Sequence, residues 1–147
     1  MKTTVSRLRS LEQTINVMRR LAVQHAGDLA PYATWPLSRI YNLVRALPYV
    51  RDPAGNELVK RPYYTLNGIG DGGDCDDKTV VLLAWAKLNG VPARIVVSGK
   101  SAKKPLHHVY PEVYINSEWV PVDATYSYNS LGRRLFKEEK RKVFSFE

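Results

Sequence analysis

A chain of 147 residues is long enough to bury a core without disulfide or metal staples, and its 44% hydrophobic and 24% charged residues fit an ordinary globular protein. No apolar run approaches the roughly 18 residues that span a bilayer, and the opening MKTTVSRLRSLEQ lacks the apolar stretch of a secretory signal, so a cytoplasmic setting away from membranes is expected. The net charge of +8 permits an acidic partner. The basic residues are nevertheless dispersed, and no zinc-finger spacing or aromatic RNA-binding motif accompanies them, so nucleic acid is not the expected partner.

Residues 3–26 predict an amphipathic helix: Val5, Leu8, Leu11, Ile15, Met18, Leu21, Ala22 and His25 recur at three- and four-residue steps, and Gly27 is a natural stop. His25 lies on or near that stripe, where a helix-end or core role is expected. A second helix is predicted over 36–47, with Thr34 as N-cap, Pro36 in the first turn, and Ile40, Leu43, Val44 and Leu47 inward. The following stretch to Asp74 is dense in Pro, Gly, Asn and Asp and reads as a long irregular loop, of the kind that often carries function. Helical spacing returns over 75–89 with Cys75, Thr79, Leu82, Leu83 and Ala86 on one side, closed by Asn89-Gly90. Strands are predicted at 93–99, 108–115 and 118–125, the last two joined by a tight turn at 115–118. The remaining segment, with Arg133, Arg134, Lys137, Lys140, Arg141 and Lys142, reads as a solvated basic tail. One domain over 1–147 is expected, with a helical part at 3–47, a core at 48–128 and the tail at 129–147. Its class is α+β, a helix feeding an antiparallel sheet.

The octapeptide DGGDCDDK (71–78) places the only cysteine among four aspartates. A helix beginning at Cys75 puts the thiol at the positive end of the helix dipole, which lowers a thiol pKa, and offers the Cys75 amide to a developing oxyanion. Asp74 suits the N-cap, Asp76 and Asp77 suit the first turn, and one of them could pair with Arg94. Asp71, Asp74, Asp76 and Asp77 do not match the spacing of a calcium loop, and no Cys-x-x-Cys or His-x₃-His pattern supports zinc, so no metal or other cofactor is expected.

A thiolate among carboxylates needs a cation, and an imidazolium is the natural one. Reflection about the 115–118 turn sets residue 108 opposite 125 and 110 opposite 123, so Asp123 is a diagonal neighbour of His108. Cys75, His108 and Asp123 then form a nucleophile, a base and an orienting carboxylate. His107 reads as a strand-edge residue, and Glu112, on the His108 side of its strand, as half of an ion pair or hydrogen bond.

The segment GGDCDDKTVVLLAWAKLNGVPARIVVSG, followed by HVYPEVYINSEWVPVDAT, resembles the transglutaminase-like superfamily over about residues 47–128. The match runs through Gly73-Asp74-Cys75, through Gly90-Val91-Pro92-Ala93-Arg94, through His108, and through the Trp119–Thr125 strand with Asp123. This resemblance implies a papain/transglutaminase-like fold in which the Cys-bearing helix packs on the antiparallel sheet, in a small bacterial or phage-type member. It implies acyl transfer on amide or peptide bonds by Cys75, His108 and Asp123, as a protease, amidase or transglutaminase acting on a peptide or protein. The family's upstream aromatic or amide oxyanion partner falls to Tyr63, Tyr64 or Trp35, with Asp74 and Asp76 also beside the site. The alternative is a non-catalytic member, a structural or peptide-binding protein.

Overall fold

Ile15, Met18, Leu21 and Ala22 recur on one side of Leu11–Gln24 and are buried there, forming helix α1. Ser10 caps it, its hydroxyl accepting the Gln13 amide at 3.2 Å. In the computed structural model, which describes residues 10–52, 58–67 and 72–147, α1 begins at Leu11; the earlier part of the predicted helix lies outside the described residues. Nor does the chain stop turning at Gly27. A 3-10 helix runs over Ala26–Tyr32 and buries Leu29. Helix α2 spans Leu37–Ala46 with Pro36, not Thr34, at its N-cap. Proline has no N–H and carries a fixed φ, so it opens a helix at little cost.

The segment expected to be wholly irregular contains a short helix, α3, at Pro62–Asn67. Helix α4, Cys75–Leu88, follows, and every residue from Asp76 to Ala86 in it is buried. A helix covered on all sides is a core helix rather than a surface one. Helix α1, the 3-10 helix, α2 and α3 pack against it, as does one face of the sheet.

That sheet has the order β3-β2-β1-β4, antiparallel throughout, with β1 at Ala93–Gly99, β2 at His108–Ile115, β3 at Glu118–Pro121 and β4 at Lys140–Ser145. The β2–β3 register is Glu112 opposite Pro121 and Ile115 opposite Glu118, as expected by reflection about the turn. Asn116 and Ser117 make that turn with φ of 53° and 64°. Strand β3 ends at Pro121 rather than at residue 125, although the Val122 amide still donates to the Pro111 carbonyl at 2.8 Å.

The basic segment is not a free tail, for β4 pairs with β1 along its whole length from Arg94–Ser145 to Gly99–Lys140. Ile95, Val97, Val109 and Val113 face the core with α4. On the other face Glu112, fully buried, meets Arg94 and Arg141 at 2.7 Å each, and Tyr110 donates to Glu138 at 2.6 Å. Arg94 therefore pairs with Glu112 and not with Asp76 or Asp77.

Candidate active site

The α4 N-terminus is set by close packing. Gly72 has φ +110°, and a Cβ there would meet the Pro48 carbonyl oxygen at 2.1 Å. A Cβ on Gly73 would meet Asp77 at 2.5 Å. The chain thus enters α4 through the two positions where only glycine fits. Asp74 is the N-cap: its Oδ1 accepts the Asp76 and Asp77 amides at 3.1 and 3.2 Å, and Asp77 Oδ2 accepts the Asp74 amide at 3.2 Å. This reciprocal capping box explains Asp77, which is fully buried and also accepts the Lys60 amide at 2.8 Å.

Asp52, Asp74 and Asp77 bring carboxylate oxygens within 4.8 Å of one another. Each accepts backbone amides: Leu58 donates to Asp52, Asp76 and Asp77 donate to Asp74, and Lys60 and Asp74 donate to Asp77. That is the chemistry of a capped chain crossing. Burial, then repulsion from Asp77 and Asp52, pushes Asp74 up to about 9, and burial pushes Asp77 up to about 6. Of the four aspartates weighed for a cation, Asp71 lies outside the described residues, and Asp76 is not part of this trio.

Cys75 is half-buried at the first position of α4. The Val109 amide is directed at its sulfur and favours the thiolate, but burial, Asp76 and Asp74 push the thiol well above its ordinary range. These influences oppose the lowering expected from the helix dipole, and the sulfur lies 3.8 Å from Asp76 Oδ1. Burial is the largest of these influences, and burial is a tertiary property.

His108 Nε2 lies 2.6 Å from Asp123 Oδ2, with both side chains buried. Asp123 Oδ1 accepts the Thr125 hydroxyl at 2.6 Å and the Thr125 amide at 3.1 Å, so its orientation is fixed. A carboxylate at Nε2 assigns that nitrogen the proton and leaves Nδ1 as the basic nitrogen. The Asp123 carbonyl is held in turn by the Tyr41 hydroxyl at 2.9 Å and by Asn129 Nδ2 at 3.0 Å.

Lys78, buried at 2% exposure, donates to the Leu47 and Thr125 carbonyls at 2.8 and 2.9 Å. It joins α4, the end of α2 and the Asp123 segment, and burial draws its pKa down to about 8 against the opposing pull of Asp123. Its role could not be read locally, because Lys78 looks like an ordinary first-turn lysine.

Cys75 and His108 line one cavity of about 350 Å³, together with Tyr49, Lys100, His107, Thr125, Tyr126, Tyr128, Leu135 and Phe136. A larger cavity of about 640 Å³ lies at the other end of α4, between Ala86, Trp119 and Phe146. Cys75 and His108 share the smaller one. Tyr63, Tyr64 and Trp35 do not line it. Tyr63 and Tyr64 pack edge to face on α3, and Trp35 sits under Arg39 with its carbonyl accepting Trp85 Nε1. The upstream aromatic residue that reaches the cavity is Tyr49, and its signal in the sequence was only a tyrosine between Pro48 and Val50.

The profile of the transglutaminase-like superfamily matches residues 19–124. One solved structure, described as "a Putative Cysteine Protease from Cytophaga hutchinsonii", is similar at 20% identity with a TM-score of 0.42, covering 89% of this chain and 47% of that one. The present chain thus spans about half the length of that protein. No curated protein matches the chain. Since the profile covers well over half of the residues, from α1 through the Asp123 segment, the chain belongs to the transglutaminase-like superfamily.

Proposed function

We propose that the protein is a cysteine-nucleophile enzyme that transfers acyl groups from amide or peptide bonds. The observation that carries this is the 2.6 Å pairing of His108 Nε2 with a buried, doubly anchored Asp123, His108 lining the same cavity as Cys75. His108 Nδ1 acts as the general base that takes the thiol proton during attack. The sulfur–carbon bond forms as Nδ1 takes the thiol proton. The tetrahedral oxyanion is met by the Cys75 amide, which Asp74 leaves to the cavity when it takes the Asp76 and Asp77 amides, and by the Tyr49 hydroxyl. Tyr49 is pushed up to about 12, chiefly by burial, and so stays a donor at working pH.

The carbon–nitrogen bond then breaks, the leaving amine taking the proton from the imidazolium. Water or a second amine attacks the thioester and regenerates the thiol, giving a carboxylic acid in the first case and a new amide in the second. Asp123 keeps the imidazole in the required tautomer and stabilises its charged form.

An activated acyl donor such as a p-nitrophenyl ester tests this. A burst of nitrophenol with one acyl mass on Cys75, absent in Cys75→Ala and at least tenfold slower in His108→Ala, is expected. Partition of that acyl group between water and a primary amine then separates hydrolase from transglutaminase. Acylation of Cys75 at the same rate with and without the imidazole would overturn the reading and leave a peptide-binding protein of this fold.

A further inference from the structure

Two features of the cavity extend beyond the groups that acyl transfer uses. The first is a continuous stack of tyrosines. Tyr49 lies on Tyr126 with ring centroids 5.1 Å apart and planes 21° apart, and Tyr126 lies on Tyr128 at 5.4 Å and 11°. The outermost ring, Tyr128, is 68% exposed, so the outer end of the stack stays open to solvent in the cavity that Cys75 also lines. The segment that carries it is held in place. Arg45 Nη1 donates to the Ser127 and Asn129 carbonyls at 2.9 and 3.0 Å, and the buried Asn129 side chain grips the Asp123 and Arg133 carbonyls at 3.0 Å each. A rigid aromatic platform loses little entropy when a second ring settles on it.

The second feature is the sign of charge on the other side. Lys100 lies with Nζ 5.3 Å from the Phe136 ring, whose face stacks on His107. Lys100 and Lys104 both sit close enough to His107 for their charges to disfavour its protonation. Of the acidic groups around the site, Asp123 is buried against His108, and Asp74 and Asp76 lie on the helix side, next to Cys75. On the strand side the exposed Glu139, whose amide donates to the Gly99 carbonyl at 3.0 Å, is outnumbered by Lys100, Lys104 and Lys140, so that rim carries net positive charge and concentrates anionic ligands.

Resting on the reading that Cys75 is the acylated nucleophile, we propose that the cleft selects peptides carrying an aromatic side chain and a carboxylate. The ring lies on the Tyr126–Tyr128 platform and the carboxylate faces Lys100. A single-stranded nucleic acid also combines flat rings with anionic charge. The peptide is favoured because the platform ends at a thiol and an imidazole–carboxylate pair within about 350 Å³, a space for side chains rather than a groove that follows a sugar–phosphate backbone.

The test is binding of dye-labelled pentapeptides to full-length Cys75→Ala protein by fluorescence polarisation, which requires no turnover. A Phe/Glu peptide is compared with Ala/Glu and Phe/Lys counterparts and with an oligothymidylate. Loss of the ring should weaken binding by about three- to tenfold. Reversal of the charge should weaken it by about two- to fivefold, an effect that high salt removes while the ring effect stays. Lys100→Glu should invert the Glu/Lys preference, and Tyr128→Ala should abolish the Phe advantage; both side chains are exposed, and circular dichroism verifies that the variants fold. Unaltered preferences in both variants, no binding of any peptide, or oligothymidylate binding tighter than that of the Phe/Glu peptide and dependent on Tyr128 would each overturn the proposal. Its failure is separable from that of the acyl-transfer reading, which stands or falls on acylation of Cys75.

Discussion

The two ends of α4 are built by opposite rules. At the C-terminal end Asn89 caps the helix, and the basic Lys87 of the last turn meets Glu147 in a half-exposed pair at 2.6 Å. At the N-terminal end Asp74, Asp76, Asp77 and Lys78 are all buried, with a half-buried thiol among them. Buried charge is costly unless it is paired or hydrogen-bonded. A fold that places four ionisable groups around one helix start, each tied to backbone or partner, is stabilised there only if all the ties are kept. Substitutions of similar chemical size should therefore have large consequences at one end of the helix and almost none at the other.

The largest effect falls on turnover. Asp123→Asn keeps the shape but can present an amide N–H to His108 Nε2, which reverses the tautomer; acylation of Cys75 should slow by on the order of 10²–10⁴ with the fold intact. Next comes Lys78→Met, which fills the same volume but strips the Leu47 and Thr125 carbonyls of their donor. A loss of about 2–4 kcal/mol in a denaturant titration is expected. Asp76→Asn acts in the other direction on the thiol. It removes the largest charge contribution to the raised Cys75 pKa, so alkylation by iodoacetamide at pH 7 should accelerate, by up to about tenfold. Alkylation no faster than in the parent protein would show that burial alone governs the thiol.

The same contrast explains what the sequence could and could not disclose. Helix α4, the bounds of β1 and β2 and the β2–β3 register were legible because local chemistry determines them: an Asp cap, a Gly-containing stop, alternating apolar residues and a two-residue turn. The pairing of His108 with Asp123 followed from that register. Strand β4 was hidden because its Lys140, Arg141 and Lys142 look like solvated charge, although charged residues are what an edge strand carries to resist pairing with another chain. That Tyr49 lines the cavity while Tyr63, Tyr64 and Trp35 do not was hidden because Tyr49 reaches it through contacts distant in sequence with Gly73 and Tyr126. The influence of burial on the thiol was hidden for a similar reason, since burial is a tertiary property that the local helix dipole does not reveal.

The smallest differences are the sharpest comparison of the two ends. Asp74→Asn keeps a good N-cap, and its amide can donate to the neighbouring Asp52. A carboxyl whose folded pKa is raised from 3.8 to about 9 contributes stability below its unfolded pKa, and that contribution is lost as pH rises through the folded value. Parent stability should therefore decline between pH 5 and pH 9 relative to Asp74→Asn, by about 1–2 kcal/mol once neighbouring carboxylates share the titration. At the other end Lys87→Ala removes a solvent-screened pair and should change stability by no more than about 0.5 kcal/mol at any pH in that range. Thermal melts of both variants at pH 5, 7 and 9 check the two together. Parallel pH profiles for the parent and Asp74→Asn would mean that the buried carboxylates at the head of α4 titrate like exposed ones, and the difference between the ends would then lie in packing alone.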